Sequence, residues 1–345
     1  MYRAPIDRRL HSAKRRIGFF YVTPHTEFSS MQILVTGAAG FIGHQLCRRI
    51  LAEGHDLQTL VRTGRRDVAS PHLMPHIVAD LTRPLGNVLA NYRPTAIIHL
   101  AARAHYLRDT APDPLAEFRR VNRDATLSLA RWAATTGVRR FVYVSSIGVN
   151  GSVTQPGAPF TESSPPAPHD PYAVSKYEAE IALQELAVRS GMELCVVRPP
   201  LVYGPDAPGN FRRLVRLLQT GLPLPFGAIR NQRSLIYVEN LAEALIRCAV
   251  EPAAAGQLFL VSDRPAVSTP ELLRLMARAM GTRPWLVPVP LPLMRVSLRL
   301  MGKARALEKL ATSLEVDDSH IRSTLAWQPS VSMEEALART FAPTC

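Results

Sequence analysis

The stretch Ile33-Leu34-Val35-Thr36-Gly37-Ala38-Ala39-Gly40-Phe41-Ile42-Gly43 decides how this 345-residue chain is read. Its first residues belong to a short apolar run, residues 32–36, that reads as a buried strand. Three glycines follow, each three positions from the last, and residues 44–53 read as a helix. The first glycine permits a tight turn, the second lets the backbone approach a pyrophosphate, and the third lets the helix pack on the strand. The start of that helix then offers free N–H groups and a partial positive charge to an anion. A glycine triplet alone also fits a tight turn in other α/β proteins. The strand before it and the helix after it favour a dinucleotide cradle made by Gly37, Gly40, Phe41, Ile42 and Gly43.

Working outward, further strand-like runs lie at residues 57–61, 76–79, 96–100, 140–145 and 193–197. They are short, apolar and separated by helical patterns, which predicts an α/β Rossmann fold with a doubly wound parallel sheet. After Arg198 the texture changes. Prolines cluster, with helical stretches between them near residues 210–220, 238–250, 269–280 and 294–311. Residues 199–345 therefore read mainly as a smaller, partly helical C-terminal substrate-binding lobe, with some segments returning to the Rossmann domain of residues 31–198. The lobe would lie over the C-terminal edge of the sheet, where open α/β sheets bind ligands. Residues 1–30 read as a disordered extension, with Met31 as an alternative start.

The end of the second strand should select the cofactor. A carboxylate there favours NAD. Here Val61-Arg62-Thr63 stands instead, with Arg65-Arg66 just after, so a 2′-phosphate meets guanidinium groups. NADP(H) is expected over NAD(H), the alternative being a solvated basic loop. Asp80-Leu81, after the third strand, reads either as an adenine contact or as a turn carboxylate.

The fifth strand ends Val144-Ser145-Ser146, and 26 residues beyond Ser146 stands Tyr172-Ala173-Val174-Ser175-Lys176. On a helix, residues four apart share a face. An ammonium near a phenol stabilises the phenolate and lowers a tyrosine pKa that starts near 10. Tyr172 can then exchange a proton with a substrate oxygen that Ser146 also hydrogen-bonds. Each piece alone is commonly structural. In this order, behind a glycine cradle, Ser146, Tyr172 and Lys176 read as the catalytic residues.

Residues 36–43, His99-Leu100-Ala101-Ala102, Ser145-Ser146, residues 172–176 and residues 198–205 together resemble the extended short-chain dehydrogenase/reductase family. Within it the chain looks like the nucleotide-sugar epimerases, dehydratases and 4-ketoreductases. The resemblance implies that Leu100, Ala101 and Ala102 pass under the cofactor and that Asn122 buttresses the central strands. It also implies that Pro199 and Leu201 line the nicotinamide face, and that Asn210, Phe211 and Arg233 grip the substrate's nucleotide. Two departures stand out. Arg62 replaces an acid, and Asn150 stands where many 4-epimerases have a tyrosine. Both point away from the 4-epimerases. Phe160-Thr161-Glu162, and residues 221–225 leading to Arg233-Ser234-Leu235, look most like the 4-ketoreductases. That resemblance implies reduction of a UDP-linked 4-keto-6-deoxy-N-acetylhexosamine, with a UDP-sugar 4-epimerase as the first alternative and a non-catalytic cofactor-binding regulator as the second. Pairing into a homodimer, through the helices that carry Asn122 and Tyr172, is likewise implied.

The formal net charge is +13, of which residues 1–30 carry +4, with six Lys/Arg against two acids. The other +9 is spread along the chain without a long basic run. That distribution suits a diphosphate-bearing substrate and cofactor, and no aromatic-interleaved basic motif points to nucleic acid. No apolar stretch reaches the roughly 20 residues of a transmembrane helix. The basic helix of residues 294–311 reads as a cover over the lobe's core, with contact to an anionic membrane surface as its alternative. Four cysteines in no paired spacing suit a reducing, cytoplasmic setting, and ten scattered histidines give no metal-ligand pattern.

Overall fold

The computed structural model describes residues 30–62, 76–85, 88–104, 111–300 and 310–342. The expected N-terminal extension, Arg65-Arg66 and the middle of the basic helix fall outside them. Residues 31–345 cluster as one compact unit.

The first half is the expected alternation. β1 (Gln32–Thr36) leads to α1 (Phe41–Ala52), β2 (Asp56–Val61), β3 (His76–Val78) and β4 (Ala96–His99). Then come α2 (Pro114–Arg119), a π turn (Arg120–Asp124), α3 (Ala125–Thr135) and β5 (Arg140–Val144), followed by α4 (Pro171–Ser190) and β6 (Glu193–Arg198). Pro199 and Pro200 lack the N–H that a continuing sheet strand needs, and the chain leaves the sheet there. It goes on through β7 (Leu201–Tyr203), α5 (Asn210–Gln219), β8 (Leu235–Tyr237), α6 (Val238–Val250) and β9 (Leu258–Leu260). α7 (Thr269–Ala279), α8 (Leu291–Leu300), α9 (Ser319–Leu325) and α10 (Met333–Phe341) complete the described elements.

The main sheet has the order β3-β2-β1-β4-β5-β6-β9, and every pair in it is parallel. Strand order reverses between β1 and β4, which opens a crevice at their C-terminal ends, the place where such sheets bind ligands. Two elements exceed the sequence reading. β9 is a seventh strand of only three residues, added beyond β6, and β7 pairs with β8 as a separate parallel ribbon.

Strands buried on both faces explain the continuous apolar runs. On one face α1 and α6 pack over Ile33, Val35, Ile98, Val142 and Val197, with Trp327 closing the layer. On the other, α3 and α4 cover Leu34, Ile97, Phe141 and Tyr143. A third cluster, including Phe211, Leu214, Leu273 and Met276, is the core of the lobe. Cys47, Cys195 and Cys248 are buried free thiols. Among the described residues, no helix is long and apolar enough to cross a membrane.

Candidate active site

The crevice begins at the glycine turn. Gly37 has φ +73°, a conformation that a side chain disfavours, and a Cβ there would stand 2.8 Å from the Ala101 amide nitrogen. The turn thus presses backbone to backbone against the end of β4, where Leu100 N–H donates to the Thr36 carbonyl at 3.2 Å. A Cβ on Gly43 would meet the Gly37 carbonyl oxygen at 2.2 Å, so only glycine lets α1 begin here. Gly40 caps α1 without a side-chain bond, leaving the first-turn N–H groups of Phe41, Ile42 and Gly43 directed at the crevice. These features fit a bound pyrophosphate. Arg62 is exposed at the end of β2. Asp80 binds its own turn, accepting from Thr82 N at 2.9 Å and Thr82 Oγ1 at 2.8 Å. Those bonds, with Arg62 and Arg83 nearby, hold its carboxyl below the usual range. The turn-carboxylate reading therefore describes one of its oxygens. Leu81 is half-buried beside it.

Ser146, Tyr172 and Lys176 meet at the C-terminal end of β5. α4 starts where it does because Asp170 accepts from Ala173 N at 2.8 Å and Pro171 occupies its first turn. That start places Tyr172 in the first turn and Lys176 one turn on. Ser146 caps a short 3₁₀ turn, its Oγ accepting from Gly148 N at 3.1 Å, and it stands near enough to Tyr172 to favour the phenolate. Lys176 is 2% exposed; its Nζ donates to the Val144 carbonyl at 2.8 Å and lies 4.6 Å from the centre of the Tyr143 ring.

The electrostatics depart from the sequence expectation. Burial pushes the Tyr172 pKa up to about 12; Asp170 adds to the rise and nearby Ser146 opposes it. Burial pushes Lys176 down to about 7, against the pull of Glu180. Lys176 therefore does not set the tyrosine below its ordinary value here: its ammonium is turned to the Val144 carbonyl, and desolvation governs both groups.

Behind these residues runs a buried hydrogen-bond chain that the sequence reading met only in part. Thr36 Oγ1 lies 2.7 Å from His99 Nδ1, and His99 Nε2 lies 2.9 Å from Thr126 Oγ1, which donates to the Asn122 carbonyl at 2.8 Å. Asn122 Oδ1 accepts from Arg103 N at 2.7 Å, and its Nδ2 donates to Ser175 Oγ at 3.0 Å. Ser175 in turn donates to the Tyr172 carbonyl at 2.8 Å. Asn122 therefore ties the segment after β4 to the catalytic helix, and the π turn that carries it aims it there. Burial and the nearby Lys176 hold His99 at about 3, neutral. Its role was hidden because a lone histidine ending an apolar strand has no spacing partner.

Pro199 is buried and its carbonyl accepts from Ile147 N at 3.0 Å, which sets it and half-buried Leu201 beside Ser146. Asn150 is spent internally: its Oδ1 accepts from Arg198 at 2.9 Å and its Nδ2 donates to the Thr161 carbonyl at 3.3 Å. Asn210 is exposed at the start of α5. Phe211 corrects the sequence reading. Its ring is 2% exposed and stacked 6.3 Å from Phe341, so its side chain belongs to the lobe core. Arg233 is half-buried, its guanidinium donating to the Thr312 carbonyl at 3.0 Å two residues before β8. Among the described residues, no group of three His, Cys, Asp or Glu side chains gathers as a metal site.

Comparison with known proteins places the chain in a family. The profile of the NAD dependent epimerase/dehydratase family matches residues 33–261. The chain is 39% identical to a UDP-glucose 4-epimerase of Vibrio cholerae, across 89% of this chain and 94% of that protein. It is 27% identical to the GDP-6-deoxy-D-mannose reductase of Pseudomonas aeruginosa, across 89% and 95%. Among solved structures, the UDP-glucose 4-epimerase of Thermotoga maritima with UDP-glucose shares the fold, at a TM-score of 0.73, 23% identity and coverage of 90% and 97%. With its glycine cradle and switch-point crevice, the chain belongs to the NAD dependent epimerase/dehydratase family, within the extended short-chain dehydrogenases/reductases, and is a nicotinamide-dependent enzyme.

Proposed function

We propose that this chain acts on a nucleotide sugar and reduces the 4-keto group of a UDP-linked 4-keto-6-deoxy-N-acetylhexosamine, yielding a product such as UDP-N-acetylquinovosamine for surface polysaccharide. The observation that carries this reading is Arg62, exposed at the end of β2 where a carboxylate would favour NAD. A reductase draws fresh NADPH for each turnover, whereas a 4-epimerase keeps one NAD. A reductase also gives a proton to a carbonyl oxygen, and burial, which raises the Tyr172 pKa, keeps the half-buried phenol in the donor form that this step uses.

In this mechanism Tyr172 donates the proton through its phenol oxygen. Ser146, beside Tyr172, orients the carbonyl oxygen. Lys176, one turn along the same helix face, stabilises the phenolate left behind when it is protonated. A nicotinamide cofactor, its pyrophosphate held by the glycine cradle, would supply the hydride. Arg62, with no acid at the end of β2, supports NADP(H) over NAD(H). Arg233 and Asn210 are assigned to the substrate's nucleotide, the guanidinium suiting a diphosphate. Ile181 and Val188, 45% and 76% exposed on α4, support pairing of two copies through that helix.

A second reading, UDP-sugar 4-epimerase, is favoured by the Vibrio cholerae relative. Against it, the Asn150 amide is engaged with Arg198 and Thr161. The test is cofactor oxidation by purified protein given UDP-4-keto-6-deoxy-N-acetylglucosamine, with NADPH and NADH side by side. Stoichiometric consumption that prefers NADPH is expected. Turnover of UDP-glucose or UDP-N-acetylglucosamine without added cofactor, with NAD released on denaturation, replaces the reductase by the epimerase.

A further inference from the structure

The net charge that looks diffuse in sequence is gathered by the fold. Residues 207–238 contain five arginines and no acid, and residues 272–295 contain four arginines and no acid. The structure packs these two stretches together. α5 lies against α7, and the segments around Leu224 and Leu286 pair in parallel, Leu224 N–H donating to the Trp285 carbonyl at 2.8 Å. Eight of the nine arginines are exposed, among them Arg212, Arg213 and Arg216 on α5, Arg274 and Arg278 on α7, and Arg283 before Trp285. None of those eight forms an ion pair among the described residues.

Large apolar side chains emerge within the same two stretches. Leu222 is 63% exposed, Trp285 66% and Leu293 61%, three of the most exposed large hydrophobics among the described residues. The Leu224–Leu286 pairing sets the chain at Leu222 beside the chain at Trp285. A soluble surface normally scatters such residues singly. Here an indole and leucines stand among unpaired guanidiniums.

We propose that this face of the lobe docks on an anionic lipid surface, with Trp285, Leu222 and Leu293 entering the headgroup layer and the arginines drawn to lipid phosphates. Tryptophan is favoured at such interfaces because its ring is apolar and its N–H remains solvated. Arginines without fixed partners act as a field on a charged surface, and that attraction is screened by salt. A second copy of the chain does not fit, because two such faces would oppose positive to positive. Single-stranded nucleic acid is a poorer occupant, since stacking platforms place several aromatics along a groove and Trp285 is the one aromatic exposed here. The inference is independent of which sugar the enzyme reduces.

The test is co-sedimentation of the full chain with vesicles of phosphatidylcholine alone and of phosphatidylcholine mixed with phosphatidylglycerol, at low and high salt. Binding to the mixed vesicles at least about tenfold tighter than to the neutral ones, and lost as salt rises, is the expected result. Trp285→Ala and Leu222→Ser should each weaken it several-fold while cofactor binding is unchanged, and Arg213→Glu with Arg216→Glu should abolish it. Equal binding to both vesicle types, no binding to either, or binding that a nucleic-acid fragment removes at the same salt overturns the proposal. Tryptophan emission gives a second readout: vesicles should shift it to shorter wavelength in the native chain and not in Trp285→Phe.

Discussion

The buried arginines of β5 and β6 and the exposed arginines of the lobe are chemically identical and structurally opposite. Arg198 is 3% exposed and is held by Glu180 through two bonds and by the Asn150 carbonyl oxygen through a third. Arg140 is fully buried between Glu193 and the carbonyls of Cys248 and Glu251. Such groups are architecture: each fixes one element against another, and their charge is invisible from outside. Arg212, Arg213 and Arg216 fix nothing among the described residues, and their charge faces water. The contrast teaches that net charge says little until the fold reveals which charges are cancelled.

The largest effect should come from breaking the architectural set. Arg198→Ala leaves the Glu180 carboxylate buried without its partner and should cost about 3–5 kcal/mol, read as a lowered denaturant midpoint. Next in size is chemistry without architecture. Tyr172→Phe should lower kcat at least about 100-fold with little change in Tm; a near-normal rate would overturn the proposed proton donor.

Opposite in sign on the two sides are the pH effects. Lys176 titrates near 7 in the fold against 10.5 outside it. Between those values the unfolded chain binds the extra proton, so stability should rise with pH across that window. Asp263, in the lobe, is pushed by burial to about 6 from 3.8, while it accepts from Tyr203, Asn240 and the Tyr237 amide. The folded chain binds the extra proton there, so stability should fall as pH rises from about 4 to 6. Denaturation series at stepped pH should show each slope vanish in Lys176→Met and Asp263→Asn respectively. The smallest effect should be Arg213→Ser, within about 0.5 kcal/mol by the same measurement, because nothing in the described structure leans on it.

Much of the sheet was legible in the chain. β1 and α6 lie where the pattern set them, and the other long strands differ by one residue at an end. The reason is physical: a strand buried on both faces must be apolar throughout, and few other structures ask for that. β9 escaped because three residues after a short 3₁₀ turn carry no period. The glycine turn and the meeting of Ser146, Tyr172 and Lys176 were legible because strand, turn and helix fix where those residues emerge. The direction of the pKa shifts was not, since desolvation depends on neighbours from β5 and α4 together. Phe211 was misplaced for a related reason: the first turn of an amphipathic helix holds inward and outward residues side by side, and sequence alone does not say which side meets the ligand. The basic face of the lobe was hidden because its two halves lie far apart along the chain.

The position of β9 has a consequence for synthesis. Fifty-nine residues separate the end of β6 from the start of β9, which pairs with it as the last strand of the sheet. At translation rates of roughly 5–20 residues per second, β6 spends about 3–12 s as an open edge while the lobe is still being made. That edge carries Cys195, Val196 and Val197, all apolar and buried in the finished protein. An unpaired apolar edge is a template for wrong pairing. A nascent chain stalled or cut between residues 199 and 257 should therefore aggregate, and shielding by a chaperone matters most in that interval.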